Sequence, residues 1–291
     1  MKPVPDENQI YIDGDYYSRK DARISVFDHG FLYGDGVFEG IRAYDGCVFR
    51  LDEHITRLYE SAKSIDLKIP ITPQEMSQAI LSTLRRNELT NAYIRVVITR
   101  GIGTLGLSPL TCPNPSVIII TDYLQPLFEG KNVKAIVAST RRNATTALNP
   151  RIKSLNYLNN ILARLEAIKA DVDEAIMLNL NGTIAEGTGD NIFLIKHGEI
   201  VTPPATAGIL MGITREAVIG LAQELKIPIT ETDVTVHDLY NADEAFLTGT
   251  AAEIVPLVEV DSRLINDGNV GPITTQLLEH FKSLRKTGTP I

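Results

Sequence analysis

The chain has 291 residues, 44% apolar and 22% charged, with a net charge of −8. Such a composition belongs to a globular protein with a sizeable core, and the length favours two domains. The acidic balance argues against nucleic acid or an anionic membrane as a partner, and two cysteines suggest neither a disulfide framework nor a metal site.

The opening MKPVPDENQI lacks the apolar core of a signal peptide, and no apolar run approaches membrane-span length. A cytoplasmic protein with reduced thiols is the expectation. Residues 9–13 alternate as a strand and turn at Asp13-Gly14-Asp15. Tyr44-Asp45-Gly46-Cys47 is an Asp-Gly hairpin signal. Ile55, Leu58, Tyr59 and Ala62 then recur with helical spacing, and a second helix is expected over about 73–86, with Pro73 in its first turn. Strands at 93–100 and 116–122 flank a Gly/Pro-rich loop carrying Gly103, Leu105 and Leu107. Residues 124–131 lack periodicity, so the expected division is a small N-terminal domain at 1–122, an interdomain loop at 123–132 and a larger C-terminal domain at 133–291.

In the second part, Tyr157, Ile161, Leu162, Leu165 and Ile168 predict a helix with an apolar stripe. Asn181-Gly182 and His197-Gly198 predict two hairpins, and helices are expected around 218–225 and 273–284. Hairpins and helices without regular βαβ alternation indicate an α+β fold.

Several positions suggest chemistry, each with a plainer explanation. Lys153 lies among apolar neighbours at the mouth of the expected helix, where a desolvated amine could attack a carbonyl. Gly212-Ile213-Thr214 enters a helix and could cradle a phosphate, although a Thr N-cap explains it equally. Gly249-Thr250-Ala251 could approach an anion or simply turn between strands. Arg57, off its helix's apolar stripe, reads as solvated or phosphate-binding. Glu186 ends a hairpin and alone reads as a surface glutamate. Tyr93 and Arg95 share a strand face. His29 and His54 read as incidental.

Together, Lys153 with Tyr157, Glu186-Gly-Thr-Gly-Asp-Asn191, Gly212-Ile213-Thr214-Arg215 and Gly249-Thr-Ala-Ala-Glu253 resemble the class IV aminotransferases, pyridoxal-phosphate enzymes of fold type IV. Within that class, Tyr33-Gly-Asp-Gly-Val-Phe38-Glu-Gly-Ile-Arg42 and Tyr93-Ile-Arg95 resemble the branched-chain amino acid aminotransferases. The resemblance implies a smaller N-terminal α/β domain and a larger C-terminal α/β pseudo-barrel domain. It implies pyridoxal 5'-phosphate bound as a Schiff base on Lys153, with Tyr157 on the ring's phenolic oxygen and Glu186 on the pyridine nitrogen. Arg57, Ile213, Thr214 and Thr250 would hold the phosphate. Thr250, Ala251 and Tyr93 would receive the substrate carboxylate, and Tyr33 and Phe38 would line the side-chain pocket, with Tyr123 a weaker candidate. Arg95 would serve the distal carboxylate of 2-oxoglutarate, and Leu105 would enter the pocket of a partner subunit in a homodimer or larger homo-oligomer. The implied reaction is ping-pong transamination between Leu, Ile or Val and 2-oxoglutarate. D-amino acid transamination, an aminodeoxychorismate lyase or a non-catalytic protein of the same fold are the alternatives.

Overall fold

A computed structural model describes residues 8–128 and 130–291, and the chain groups into two compact units. The first runs to Leu124 and also contains Ile152–Asn156 and Arg285–Ile291; the second comprises Gln125–Arg151 and Tyr157–Leu284. An unbroken second stretch from 133 to 291 therefore differs from the contact grouping. The reason is local hydrogen bonding: Ser154 bridges Val37, and Phe38 donates its N–H to the Lys153 carbonyl at 2.9 Å.

The first unit is built on an antiparallel seven-stranded sheet in the order Thr289–Pro290, Cys47–Val48, Gly36–Tyr44, Ala92–Thr99, Ser116–Asp122, Gln9–Ile12, Asp15–Ser18. Its helices are α1 (His29–Tyr33), α2 (Leu51–Ser64) and α3 (Pro73–Arg86). Helix α3 begins where the sequence expects, because Thr72 and Glu75 form a reciprocal capping box ahead of Pro73. Along Ala92–Thr99 the residues Ala92, Ile94, Val96 and Ile98 are buried, while Tyr93, Arg95 and Val97 are less so. The buried set joins Ile55, Leu58 and Ala62 of α2 and Met76, Ile80 and Leu84 of α3 in one core. Tyr93 and Arg95 thereby fall on the opposite face, where Gly40 pairs in register with Arg95 and Arg42 with Tyr93.

The second unit carries a nine-stranded mixed sheet. Its path is Ile229–Glu231, Glu199–Thr202, Asn191–Lys196, Glu244–Gly249, Glu253–Val260, Val133–Val137, Glu174–Leu178, Ile184–Glu186, and Arg263–Leu264 adds to Glu253–Val260. Its helices are α4 (Leu158–Lys169), α5 (Ile213–Glu224), α6 (Val236–Tyr240) and α7 (Pro272–Leu284). Two antiparallel-rich sheets with helices outside a regular βαβ order make the chain α+β, as the pattern predicts. Among the described residues, no helix is long and apolar enough to cross a membrane.

One element departs from its sequence reading. Of the expected stripe, Tyr157 is half-buried and Ile161, Leu162, Leu165 and Ile168 are exposed, as is Leu158, and α4 instead buries Asn160, Ala163 and Ala167. The helix is where the periodicity puts it, but its small and polar side faces the sheet.

Candidate active site

Lys153 does not sit in the first turn of a helix. Residues 152–156 run beside the Gly36–Tyr44 strand, with Leu155 donating its N–H to the Gly36 carbonyl at 3.0 Å. The Lys153 N–H donates to Ser61 Oγ on α2 at 3.1 Å. Its main chain is thus fixed on both sides, and Nζ lies 4.8 Å from the centre of the Phe38 ring. The amine meets an aromatic face rather than a carboxylate.

The same ring receives a second cation, with the Arg95 guanidinium 4.5 Å from its centroid. Arg95 also donates an N–H to the Tyr93 hydroxyl at 2.9 Å. The shared strand face therefore produces a cooperating group rather than a solvent stripe. Gly40 makes it possible: a Cβ there would stand 2.3 Å from the Tyr93 hydroxyl. The Tyr33 hydroxyl accepts the Gly106 N–H at 2.9 Å and ties α1 to the loop of Leu105. Leu105, Leu107 and Leu110 on that loop are exposed, as are Phe27 and Phe31. Tyr123 is exposed as well.

Arg57 is not a solvated arginine. It is buried, and it donates Nε–H to Glu39 Oε1 at 2.7 Å and Nη2–H to Glu39 Oε2 at 2.9 Å. Glu39 is 0% exposed, on the core face of its strand between Val37 and Ile41. His54, one helical turn before Arg57, shares the carboxylate, with Nδ1 2.8 Å from Oε2. Burial opposes the charge on Glu39, but Arg57 and then His54 outweigh it and hold the carboxyl well below the usual range. Burial lowers the proton affinity of His54, with the attraction of Glu39 only partly opposing it. The result is a neutral imidazole beside a fixed carboxylate–guanidinium fork, so His54 is not incidental.

In the second unit Glu186 is buried rather than at the surface. Oε1 accepts from Arg142 Nε at 2.7 Å, and Oε2 accepts from Asn191 Nδ2 and the Leu210 N–H, each at 3.0 Å. A guanidinium and several N–H groups thus maintain an oriented carboxylate. Helix α5 follows, with Gly212 rather than Thr214 at the N-cap and no side-chain cap on its first N–H groups. Gly212 is sterically required, since a Cβ there would lie 2.1 Å from Oδ1 of Asn191, the residue orienting Glu186. Thr214 is buried inside the first turn. Thr250 and Ala251 form the turn between Glu244–Gly249 and Glu253–Val260, both half-buried, with the Ala251 carbonyl accepting the Leu127 N–H at 2.9 Å. Tyr157 occupies the N-cap position of α4, without capping it.

Each unit therefore supplies a set suited to a phosphorylated pyridine aldehyde: a primary amine and a rigid guanidinium in the first, an uncapped helix N-terminus and a braced carboxylate in the second. The bracing residues Glu39, His54 and Arg142, which hold Arg57 and Glu186 in place, are ones that sequence reading missed. Alternation along Val37–Ile41 puts Glu39 on the core face, and the His54/Arg57 spacing marks its partners. Arg142 lies in an aperiodic loop and gives no such signal.

Residues 36–260 match the family described as amino-transferase class IV. A relative from Methanocaldococcus jannaschii, provisionally named a branched-chain-amino-acid aminotransferase, is 55% identical over 95% of this chain and 96% of its own length. The branched-chain aminotransferase of the archaeon Thermoproteus uzoniensis, solved with norvaline, superposes with a TM-score of 0.91 at 40% identity, covering 96% of this chain and 95% of that one. The branched-chain amino acid aminotransferase of Thermobaculum terrenum, solved in its PLP-bound holo-form, gives 0.89 at 32% identity, covering 97% and 94%. The cysteine-poor, α+β chain with its pinned lysine and braced carboxylate belongs to the class IV aminotransferases, of fold type IV.

Proposed function

We propose that the protein is a branched-chain L-amino acid: 2-oxoglutarate transaminase, cytoplasmic, working by ping-pong kinetics as a homodimer or a larger homo-oligomer. The observation that carries the reading is the ring of Phe38 with both the Lys153 amine, at 4.8 Å, and the Arg95 guanidinium, at 4.5 Å, close to its centre. That arrangement joins a nucleophilic amine, an apolar wall for a branched side chain and a cation for a carboxylate.

Pyridoxal 5'-phosphate supplies an aldehyde for the amino group and an electron-withdrawing ring for the charge left on Cα. Lys153 Nζ would hold the aldehyde in the resting protein and, once the substrate amine has displaced it there, would carry the proton between substrate Cα and the neighbouring carbon. Arg57, fixed by Glu39, would hold the phosphate together with the N–H groups of Ile213 and Thr214 and with Thr250. Glu186, held by Arg142 and Asn191, would keep the proton on the pyridine nitrogen. Tyr157 would hydrogen-bond the ring's phenolic oxygen. The substrate α-carboxylate rests on the N–H groups of Thr250 and Ala251, with Tyr93 assisting. Phe38 excludes water from the side-chain pocket, and Arg95 with Tyr93 accepts the distal carboxylate of glutamate or 2-oxoglutarate. Tyr33 would line the side-chain pocket beside Phe38, and Leu105, on the loop tied to Tyr33, would enter the pocket of a partner subunit.

Purified protein given L-leucine with 2-oxoglutarate should turn over at least about a hundredfold faster than with D-alanine, because one pocket cannot serve both hands equally. The visible band of the bound cofactor should bleach on adding L-leucine alone. Turnover of D-alanine alone, or release of pyruvate from aminodeoxychorismate without an amino acceptor, would overturn the assignment.

A further inference from the structure

The segment that carries Lys153 is suspended between two parts of the first unit. On one side Ser61 of α2 receives the Lys153 N–H at 3.1 Å. On the other, the turn between α1 and strand Gly36–Tyr44 receives the segment twice. The Gly36 carbonyl accepts the Leu155 N–H at 3.0 Å, and the Gly34 carbonyl accepts Asn156 Nδ2–H at 2.9 Å. A Cβ on Gly36 would stand 2.7 Å from Leu155 Cδ1, so turn and segment meet without slack. The amine itself lies over the Phe38 ring, a contact that attracts a cation but gives it no single bonded direction. Where the amine stands is therefore set by its main chain, and the main chain by α2 and the turn.

One buried arginine ties those two supports together. Arg100, just past strand Ala92–Thr99, is 8% exposed. Its Nε–H and Nη2–H grip Asp35, the residue between Gly34 and Gly36, at 2.9 and 3.0 Å. Nη1 and Nη2 also donate to the Asp66 and Ile65 carbonyls, at 2.6 and 2.8 Å, where α2 ends. A planar guanidinium serves a carboxylate and two carbonyls at once, which an ammonium cannot, and its charge suits the negative end of the helix. The Asp35 side chain is 25% exposed, so water alone could satisfy it. What the arginine adds is a fixed spacing between turn and helix. We propose that Arg100 is a positioning residue for Lys153, holding α2 to the α1 turn and thereby fixing the place of the ε-amine. The proposal rests on the reading of Lys153 as the reacting amine. Displacing a reacting group by about 1 Å costs about a hundredfold in rate, so slack in this clamp is felt in the chemistry.

The test compares Arg100→Met, the isosteric Asp35→Asn and a control, Asn87→Ala, in purified full-length protein. Asn87 bonds Gln9 and Thr121 elsewhere in the same unit, so alanine there weakens the fold without touching the lysine segment. Amide hydrogen exchange reads the clamp independently of activity. In Arg100→Met the Lys153 and Leu155 N–H groups should exchange at least about tenfold faster, relative to those of Ile94 and Val96 in the core strand. Asp35→Asn should raise the same two rates by a smaller factor, and Asn87→Ala should leave them unchanged. With L-leucine, the visible band of Arg100→Met should bleach about a hundredfold more slowly per bound cofactor, at a half-saturating leucine concentration within about twofold of wild type. Unchanged exchange at 153 and 155 in Arg100→Met or Asp35→Asn, an equal rise in Asn87→Ala, or bleaching of Arg100→Met at the wild-type rate would each overturn the proposal. If Arg100→Met does not fold, Asp35→Asn against Asn87→Ala decides it by exchange. A wild-type protein that fails to bleach would instead refute the transaminase reading, with exchange still judging the clamp.

Discussion

Lys153→Ala should lose transamination by about four orders of magnitude or more, since one substitution removes the covalent anchor and the acid–base group together. Its melting temperature should hardly change. The hydrogen bonds of residue 153 to Phe38 N–H and Ser61 Oγ are made by its backbone and alanine keeps both, losing only the contact of the amine with the Phe38 ring. Single-turnover kinetics with L-leucine, alongside a thermal melt, separates the two effects. A variant that keeps more than about a tenth of wild-type activity would show that another group moves the proton.

Glu39→Gln should be the most damaging isosteric change in the first unit, costing about 3–5 kcal/mol, because it leaves the buried Arg57 charge without its counter-ion. It should also weaken cofactor retention, because a guanidinium no longer gripped at Nε and Nη2 must be ordered when the phosphate binds. The pH dependence follows from the same group. His54 binds its proton less readily in the folded protein than in the unfolded chain, so stability is complete above the ordinary histidine range and falls as acidification carries the unfolded chain through it. Glu39 is held ionised in the fold, so its contribution is present above the ordinary carboxylate range and declines as pH drops below it. Denaturant melts at several pH values should show wild-type stability decreasing from about pH 7 towards pH 4, with a shallower slope at the acid end in Glu39→Gln. Equal stability of the two proteins at neutral pH would refute the role given to the buried fork.

Helix and strand placement was legible where side-chain period and local chemistry agree. The Thr72–Glu75 box fixes the start of α3, and Asp45-Gly46 fixes the hairpin after Tyr44. Alternation in Tyr93-Ile94-Arg95 gives the face shared by the two polar side chains. Orientation was harder. The stripe of α4 has the period of a core-facing helix, and nothing in that period says which side of the helix meets the sheet. Positions fixed by tertiary bonding were also hidden. Lys153 lies in an extended segment held by strand Gly36–Tyr44 more than one hundred residues earlier, and a window around residue 153 cannot see that partner. Thr214 looked like a cap because Gly212 has no side chain to offer, yet the glycine's close approach to Asn191 determines where the helix begins. Family resemblance named the candidate chemical residues, whereas the partners of two of them, Glu39 and His54 beside Arg57 and Arg142 beside Glu186, became visible only through the geometry of burial.

The central claim is chemical: the ε-amine of residue 153 forms a reducible bond to the aldehyde of the coenzyme. Borohydride reduction of the purified protein, followed by proteolysis and mass spectrometry, tests it directly. The expected result is one phosphopyridoxyl group per chain, on the peptide containing Lys153. Label on a different lysine, or an unlabelled protein after incubation with pyridoxal 5'-phosphate, would contradict it.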